Sequence, residues 1–155
     1  MSIFQEIKKI SNKYPNKIAL IIENKELTYS ELVKEVEAVS TFFISLKIKS
    51  KDNVGIIENN TIEFILTFLA ISNIGALITP LSTSYTKKMI YFNFKNLQIN
   101  HLILWHKYLN YFKNKKLNLK NLMTTDKKIK NFTFFNDYKK FRNFKKYVST
   151  RKNLD

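Results

Sequence analysis

The chain has 155 residues, 45% of them hydrophobic and 25% charged, which suffices for one domain with a real core and excludes a collagenous or disordered polymer. It has no cysteine, which excludes disulfide frameworks, thiolate zinc sites and thiol nucleophiles, and its two glycines, Gly55 and Gly75, leave no Gly-rich phosphate cradle after residue 75. The net charge of +15 lies in the second half: residues 1–86 hold nine Lys and nine acids, whereas 87–155 hold sixteen Lys, two Arg and only Asp126, Asp137 and Asp155.

Phe4 to Ser11 reads as a short helix, stopped near Tyr14-Pro15. Ile18–Ile22 is a compact apolar run rich in β-branched residues, hence a strand. Asn24-Lys25 turns the chain into a second short strand at Glu26–Thr28. Thr28 with Glu31 three residues on is a capping box. Leu32, Val36, Val39, Phe43 and Leu46 then repeat at helical period, with Glu31 and Glu35 on the exposed side. Val54–Ile57 is a strand, Asn60 caps a helix over Ile62–Ile71 that is apolar on nearly every side, and Gly75 stands where a left-handed terminal residue belongs. Ala76–Thr79 is a strand closed by Pro80; Thr83 or Ser84 opens a helix carrying Ile90, Phe94 and Leu97; His101–Trp105 is a further strand. A helix near Lys107–Lys116 and a strand near Leu122–Thr125 follow, and 127–155 has aromatics without clear period. Strand and helix alternate from 54 to 105, which indicates an α/β fold with a parallel sheet flanked by helices, plus a small amino-terminal hairpin.

Residues 64–86 carry no charge, but Ser72, Asn73, Gly75, Thr79 and Pro80 interrupt them. They read as a buried helix and strand, and no membrane span is expected. The start, Met-Ser-Ile-Phe-Gln-Glu-Ile-Lys-Lys, lacks a signal-peptide core, and the absence of cysteine fits a reducing compartment, so a cytoplasmic location is expected.

Four stretches, in order and in register, resemble the adenylate-forming (AMP-dependent) synthetase/ligase superfamily, which includes acyl-CoA synthetases and peptide-synthetase adenylation domains. Leu27-Thr28-Tyr29-Ser30-Glu31-Leu32 matches the first core motif, Leu-Thr/Ser-Tyr-x-Glu-Leu. Lys51-Asp52-Asn53-Val54 resembles the Gly-Asp-x-Val strand start, with Lys51 where Gly is usual. Asn60-Thr61-Ile62-Glu63-Phe64 resembles the Asn-Ser-x-Glu-Phe helix start, and Leu69 to Leu81 follows the helix–Gly-Ala–strand–Pro pattern. Pro80-Leu81 is closer to the acyl-CoA synthetases. The resemblance implies the first subdomain of such a ligase, incomplete, with residues 1–126 as a partial amino-terminal domain and 127–155 as a basic, aromatic-rich tail.

The family joins a carboxylate to ATP, releases pyrophosphate and passes the acyl group to a thiol. That chemistry needs a Ser/Thr/Gly-rich phosphate loop, an adenine pocket, a Mg²⁺-linked acid and a late lysine. None is expected here, so the resemblance implies no catalytic, cofactor-binding or metal residue in this chain. ATP, Mg²⁺ and CoA or another thiol acceptor are implied only for a complete member, together with a companion polypeptide supplying the catalytic half. Arg151–Asp155 resembles the lead-in to the strand before the phosphate loop.

The rival reading is a basic binding or assembly module contacting nucleic acid, an anionic surface or a partner subunit. Residues 107–152 interleave Lys with aromatics, most densely at Lys139–Tyr147, although a specific nucleic-acid partner is not expected and a bias towards Lys, Asn, Ile, Phe and Tyr explains the composition more simply. A half-domain would also leave apolar strand edges uncovered. His101 and His106 are five apart, are expected to have no nearby Cys or acid partner, and predict no metal site; Ser30, Ser82 and Ser84 lack a nucleophile elbow; Trp105 reads as strand-end packing.

Overall fold

The computed structural model describes residues 2–112 and 117–143. Helix α1 (Ile3–Lys13) is opened by a capping box between Ser2 and Gln5 and ends at Tyr14, before Pro15. Strands β1 (Ile18–Ile22) and β2 (Lys25–Thr28) form an antiparallel hairpin, turning at Glu23-Asn24, one residue earlier than expected. The box at the start of α2 (Tyr29–Ser45) is made as expected: Thr28 Oγ1 accepts the Glu31 amide at 3.2 Å and Glu31 Oε2 accepts the Thr28 amide at 2.8 Å.

From there the chain builds β3 (Asn53–Ile57), α3 (Ile62–Ile74), β4 (Leu77–Pro80), α4 (Lys87–Asn96), β5 (His101–Leu104), β6 (Asn121–Thr124) and β7 (Thr133–Phe134). The five strands form one parallel sheet in the order β4-β3-β5-β6-β7. Gly75 ends α3 in the left-handed region at φ 81, as the sequence suggests. The caps of α3 and α4 differ from expectation. Thr61, not Asn60, accepts the Phe64 amide, and Thr86, not Thr83 or Ser84, accepts that of Met89. The helix expected from 107 is a 3-10 segment, His106–Tyr111. Residues 113–116 and 144–155, including the densest basic stretch beyond Asn143 and the Arg151 lead-in, lie outside the described residues.

Side-chain alternation sorts the sheet between two cores. Val54, Ile56, Ile103 and Met123 point into the first, with α1, α2 and α3. Ile57, Leu102 and Leu104 point into the second, with Ile90 and Phe94 of α4 and Tyr108 of the 3-10 segment. Burial on both faces is what a parallel sheet requires. Helix α3 is less covered than its composition predicts: Leu66, Leu69, Ala70 and Ile71 are buried, but Ile62, Phe64, Ile65 and Phe68 are half-buried.

The stretch from 127, left without elements by sequence reasoning, adds β7 and a second 3-10 segment, Phe135–Phe141, which packs on α2. The Phe135 ring meets Phe43 edge-on at 6.1 Å, and Phe141 lies 5.7 Å from Phe42. Glu35 is therefore not on a free helix face. Its carboxylate accepts the Tyr138 hydroxyl at 2.5 Å and the Arg142 guanidinium at 2.8 and 2.9 Å. Tyr108, Phe112, Phe135 and Tyr138 are core residues, which leaves the stacking surface suggested by the sequence without those rings.

A buried polar network ties the amino ends of the strands. Asp52, 5% exposed, accepts from the Lys49 amide at 3.0 Å, Lys120 Nζ at 2.8 Å, His101 Nε2 at 3.2 Å and Asn100 Nδ2 at 3.4 Å. Asn121 Nδ2 donates to His101 Nδ1 and to the Leu46 carbonyl, both at 2.9 Å. His101 thus accepts at Nδ1 and donates at Nε2, which is the neutral tautomer. Burial alone would raise the Asp52 carboxyl, but Lys120, the Lys49 amide and His101 outweigh it and hold it below its ordinary value. Burial keeps the His101 imidazole below its own, in spite of Asp52. The expectation that His101 lacks an acid partner is overturned; Asp52 is 49 residues away in sequence.

Two stability predictions follow from this edge. Asp52→Ala leaves the buried His101 and the Lys49 amide without their acceptor, while the exposed Lys120 returns to water, and should cost roughly 1–3 kcal/mol in urea unfolding. Lys51, which stands where the resembled motif has Gly, sits at φ 69. Lys51→Gly should therefore raise stability by about 0.5–1 kcal/mol in the same assay.

Candidate functional site

The order β4-β3-β5 sends the chain to opposite sides of the sheet after neighbouring strands. It leaves β3 for α3 on the first core and β5 for the 3-10 segment on the second. In open parallel sheets the crevice at such a switch point, beyond the carboxyl ends of the strands, is where ligands bind. The residues that follow β3, β5 and β6 at these carboxyl ends are Glu58, Trp105 and His106, and Thr125 and Asp126.

Glu58 is 8% exposed. The Thr125 hydroxyl donates to Glu58 Oε2, and the Asn59 amide donates to Oε1 at 3.0 Å. Burial pushes this carboxyl up to about 7, aided by the charges of Glu63 and Asp126 and opposed by the two hydrogen bonds. Beside it opens a cavity of about 650 Å³, lined in part by Ile56, Phe64, Pro80, Leu81 and Tyr85. On the rim, His106 Nδ1 donates to Asp126 Oδ2 at 2.6 Å, and the His106 amide donates to Oδ1 at 2.9 Å. Burial would raise Asp126, but these His106 bonds outweigh it and hold the acid below its usual range. His106 therefore also has an acid partner that its sequence neighbourhood does not reveal.

The two histidines sit at opposite ends of β5 and are not brought together. Among the described residues no three His, Asp or Glu side chains converge as a metal site would require. Ser82 and Ser84 hydrogen-bond each other at 2.8 Å. The donor set at the carboxyl ends does not suit a polyphosphate: Glu58, Glu63 and Asp126 are acids, and Glu63 already occupies the first turn of α3, where an anion would otherwise bind. What these residues can do is hold a proton on Glu58 near neutral pH next to a cavity of mixed polar and apolar lining.

Sequence reasoning missed Glu58, Thr125 and Asp126. A usable signal was present, since each lies one or two residues beyond a strand's carboxyl end.

The fold is an α/β domain with a five-stranded parallel sheet, open at the carboxyl ends of β3, β5 and β6. The profile of the family described as AMP-binding enzyme matches residues 7–151, and the chain belongs to that family. It is 27% identical over 110 residues to a protein of Staphylococcus epidermidis assigned as a long chain fatty acid-CoA ligase, covering 67% of this chain and 24% of that protein. It is 28% identical over 102 residues to gramicidin S synthase 1 of Brevibacillus brevis, covering 66% of this chain and 9% of that protein. A solved structure from Rhodopseudomonas palustris, assigned as a long-chain-fatty-acid CoA ligase, superposes with a TM-score of 0.82 at 16% identity, over 89% of this chain and 36% of that one. The chain thus spans about a quarter or less of these curated relatives.

Glu58 makes the domain's stability depend on pH. Folding raises its value from 4.5 to about 7, so its contribution is fully present below 4.5 and is lost as pH rises through 7. The loss should approach roughly 3 kcal/mol at most. Glu58→Gln, which puts a non-titrating amide of similar shape at the same place, should flatten the stability profile between those limits, as measured by urea unfolding at a series of pH values.

Proposed function

We propose that this chain is the amino-terminal scaffold of an adenylate-forming ligase of the acyl-CoA synthetase type, and that its 155 residues alone do not activate a carboxylate. What carries the reading is the placement of the glycines. Gly55 lies inside β3 and Gly75 ends α3, so neither is available to a phosphate-gripping loop. The acidic surroundings of Glu58 point the same way, because they repel a polyphosphate at the crevice. The shares of the relatives that the chain covers support a larger catalytic whole.

In that whole, ATP, Mg²⁺ and a thiol acceptor such as CoA bind to parts supplied by further polypeptide, as one chain or as a companion subunit. The residues described here contribute two cores, the sheet and the wall of the crevice. A cytoplasmic setting belongs to the same reading and is supported by the absence of cysteine. No described helix is long and apolar enough to cross a membrane.

The test is ATP–pyrophosphate exchange with a panel of short- to long-chain carboxylates. The 155-residue chain should give no exchange above a protein-free blank. Exchange should appear when a polypeptide carrying the Gly-rich loop and the late lysine is supplied with it. Carboxylate-dependent exchange by the isolated chain would overturn the proposal.

A further inference from the structure

Helix α4 has two apolar faces, and only one of them is used by the core. Ile90 and Phe94 point inward and are 0% and 7% exposed. At about 100° per residue, Phe92 falls diametrically opposite the two of them. It is 64% exposed, the most open large apolar side chain among the described residues. Met89, one turn earlier, is 47% exposed. Lys88 and Lys95 stand on the same outward arc, four residues before and three after Phe92, and both are exposed. Such an arrangement, with an apolar centre and an ammonium rim, has no role in packing this domain.

The charge around the face is one-sided. From residue 64 to residue 125 the chain contains eight Lys and not one Asp or Glu. The 3-10 segment packed beside α4 adds Lys107, whose ammonium lies over the Trp105 ring at 4.4 Å. Asp52 is buried at the amino edge and already bound to Lys120, and Asp126 is bound to His106 of that segment. Two copies meeting through this face would oppose Lys88 and Lys95 to themselves. A nucleic acid would use the lysines but leave Met89 unexplained. A bilayer of acidic lipids uses both, because Phe and Met enter the acyl boundary while lysines reach the phosphates.

We propose that the outer face of α4, centred on Phe92 with Met89, Lys88 and Lys95, docks on an anionic phospholipid surface. The chain lies on the membrane by this face and does not span it.

The experiment is co-sedimentation of the full chain with vesicles of phosphatidylcholine alone, or of phosphatidylcholine mixed with phosphatidylglycerol. Binding is expected to the mixed vesicles only. The pair Met89→Ser and Phe92→Ser should weaken it at least tenfold without changing net charge. The pair Lys88→Gln and Lys95→Gln should weaken it by roughly tenfold or more. Lys34→Gln with Lys139→Gln, the same charge change on α2 and the segment packed on it, should leave it within twofold. Phe92→Trp should show a blue-shifted emission on mixed vesicles. All of these side chains are exposed, so far-ultraviolet circular dichroism should be unchanged. Full binding by the serine pair, equal losses in the two lysine pairs, or no emission shift would each overturn the proposal, leaving net charge alone as the cause of adhesion.

Discussion

The carboxylate of Asp52 is the constraint on which the arrangement of the sheet depends. The strands are four or five residues long, apart from the two-residue β7, and β3 and β5 are buried on both faces. A strand that is apolar on both sides can slip by one residue and still bury its side chains, so hydrophobic patterning fixes its register weakly. Polar partners at the strand ends fix it instead. Asp52 gathers the loop after α2, β5 and the approach to β6. Asn53 donates to Asn100 Oδ1 at 3.0 Å and to the Leu97 carbonyl at 2.6 Å, which sets β3 against the end of α4. A slip would break these bonds and leave the buried Asp52 and His101 unpaired. Gly55 adds a steric lock on the second face, because a Cβ there would lie 2.9 Å from Ile99 Cγ2.

Much of this was legible in the sequence up to Trp105, and the reason is locality. Capping boxes, helical period and a left-handed glycine are each written within a few residues, as Thr28–Glu31 and Gly75 demonstrate. The errors there are one to three residues wide and arise where several oxygens compete. Ser82 and Ser84 satisfy each other, which leaves Thr86 to cap α4. The last segment was illegible for another reason. Phe135, Tyr138 and Phe141 recur every three residues, the period of a 3-10 helix, and their partners Phe43, Glu35 and Phe42 lie about a hundred residues away. No window of local sequence contains both halves of that pattern.

The same distance hides the crevice. Thr125 and Glu58 are 67 residues apart, and His106 and Asp126 are 20 apart. Each pair meets only because β5 and β6 lie side by side with β3 next to β5, so parallel strands bring successive carboxyl ends to one edge. The motifs carrying the resemblance build that geometry without reaching into it. Asp52 pins the amino edge, Thr28 and Glu31 start α2, and Gly75 and Pro80 shape the passage through β4.

Charge follows from the same division of labour. Most acids in the first half are committed to particular partners: Glu6 pairs with Lys9, Glu31 caps α2, Glu35 holds Tyr138 and Arg142, Glu37 pairs with Lys8, Asp52 pairs with Lys120 and Glu58 accepts from Thr125. Of the acids after residue 86, Asp126 holds His106 and Asp137 holds Lys140. The described lysines of the second half therefore exceed the carboxylates available to them, and their charge is carried by the surface. Net charge of this kind does not specify a fold. It determines which surfaces the folded chain can approach, and on α4 it coincides with an outward apolar face centred on Phe92.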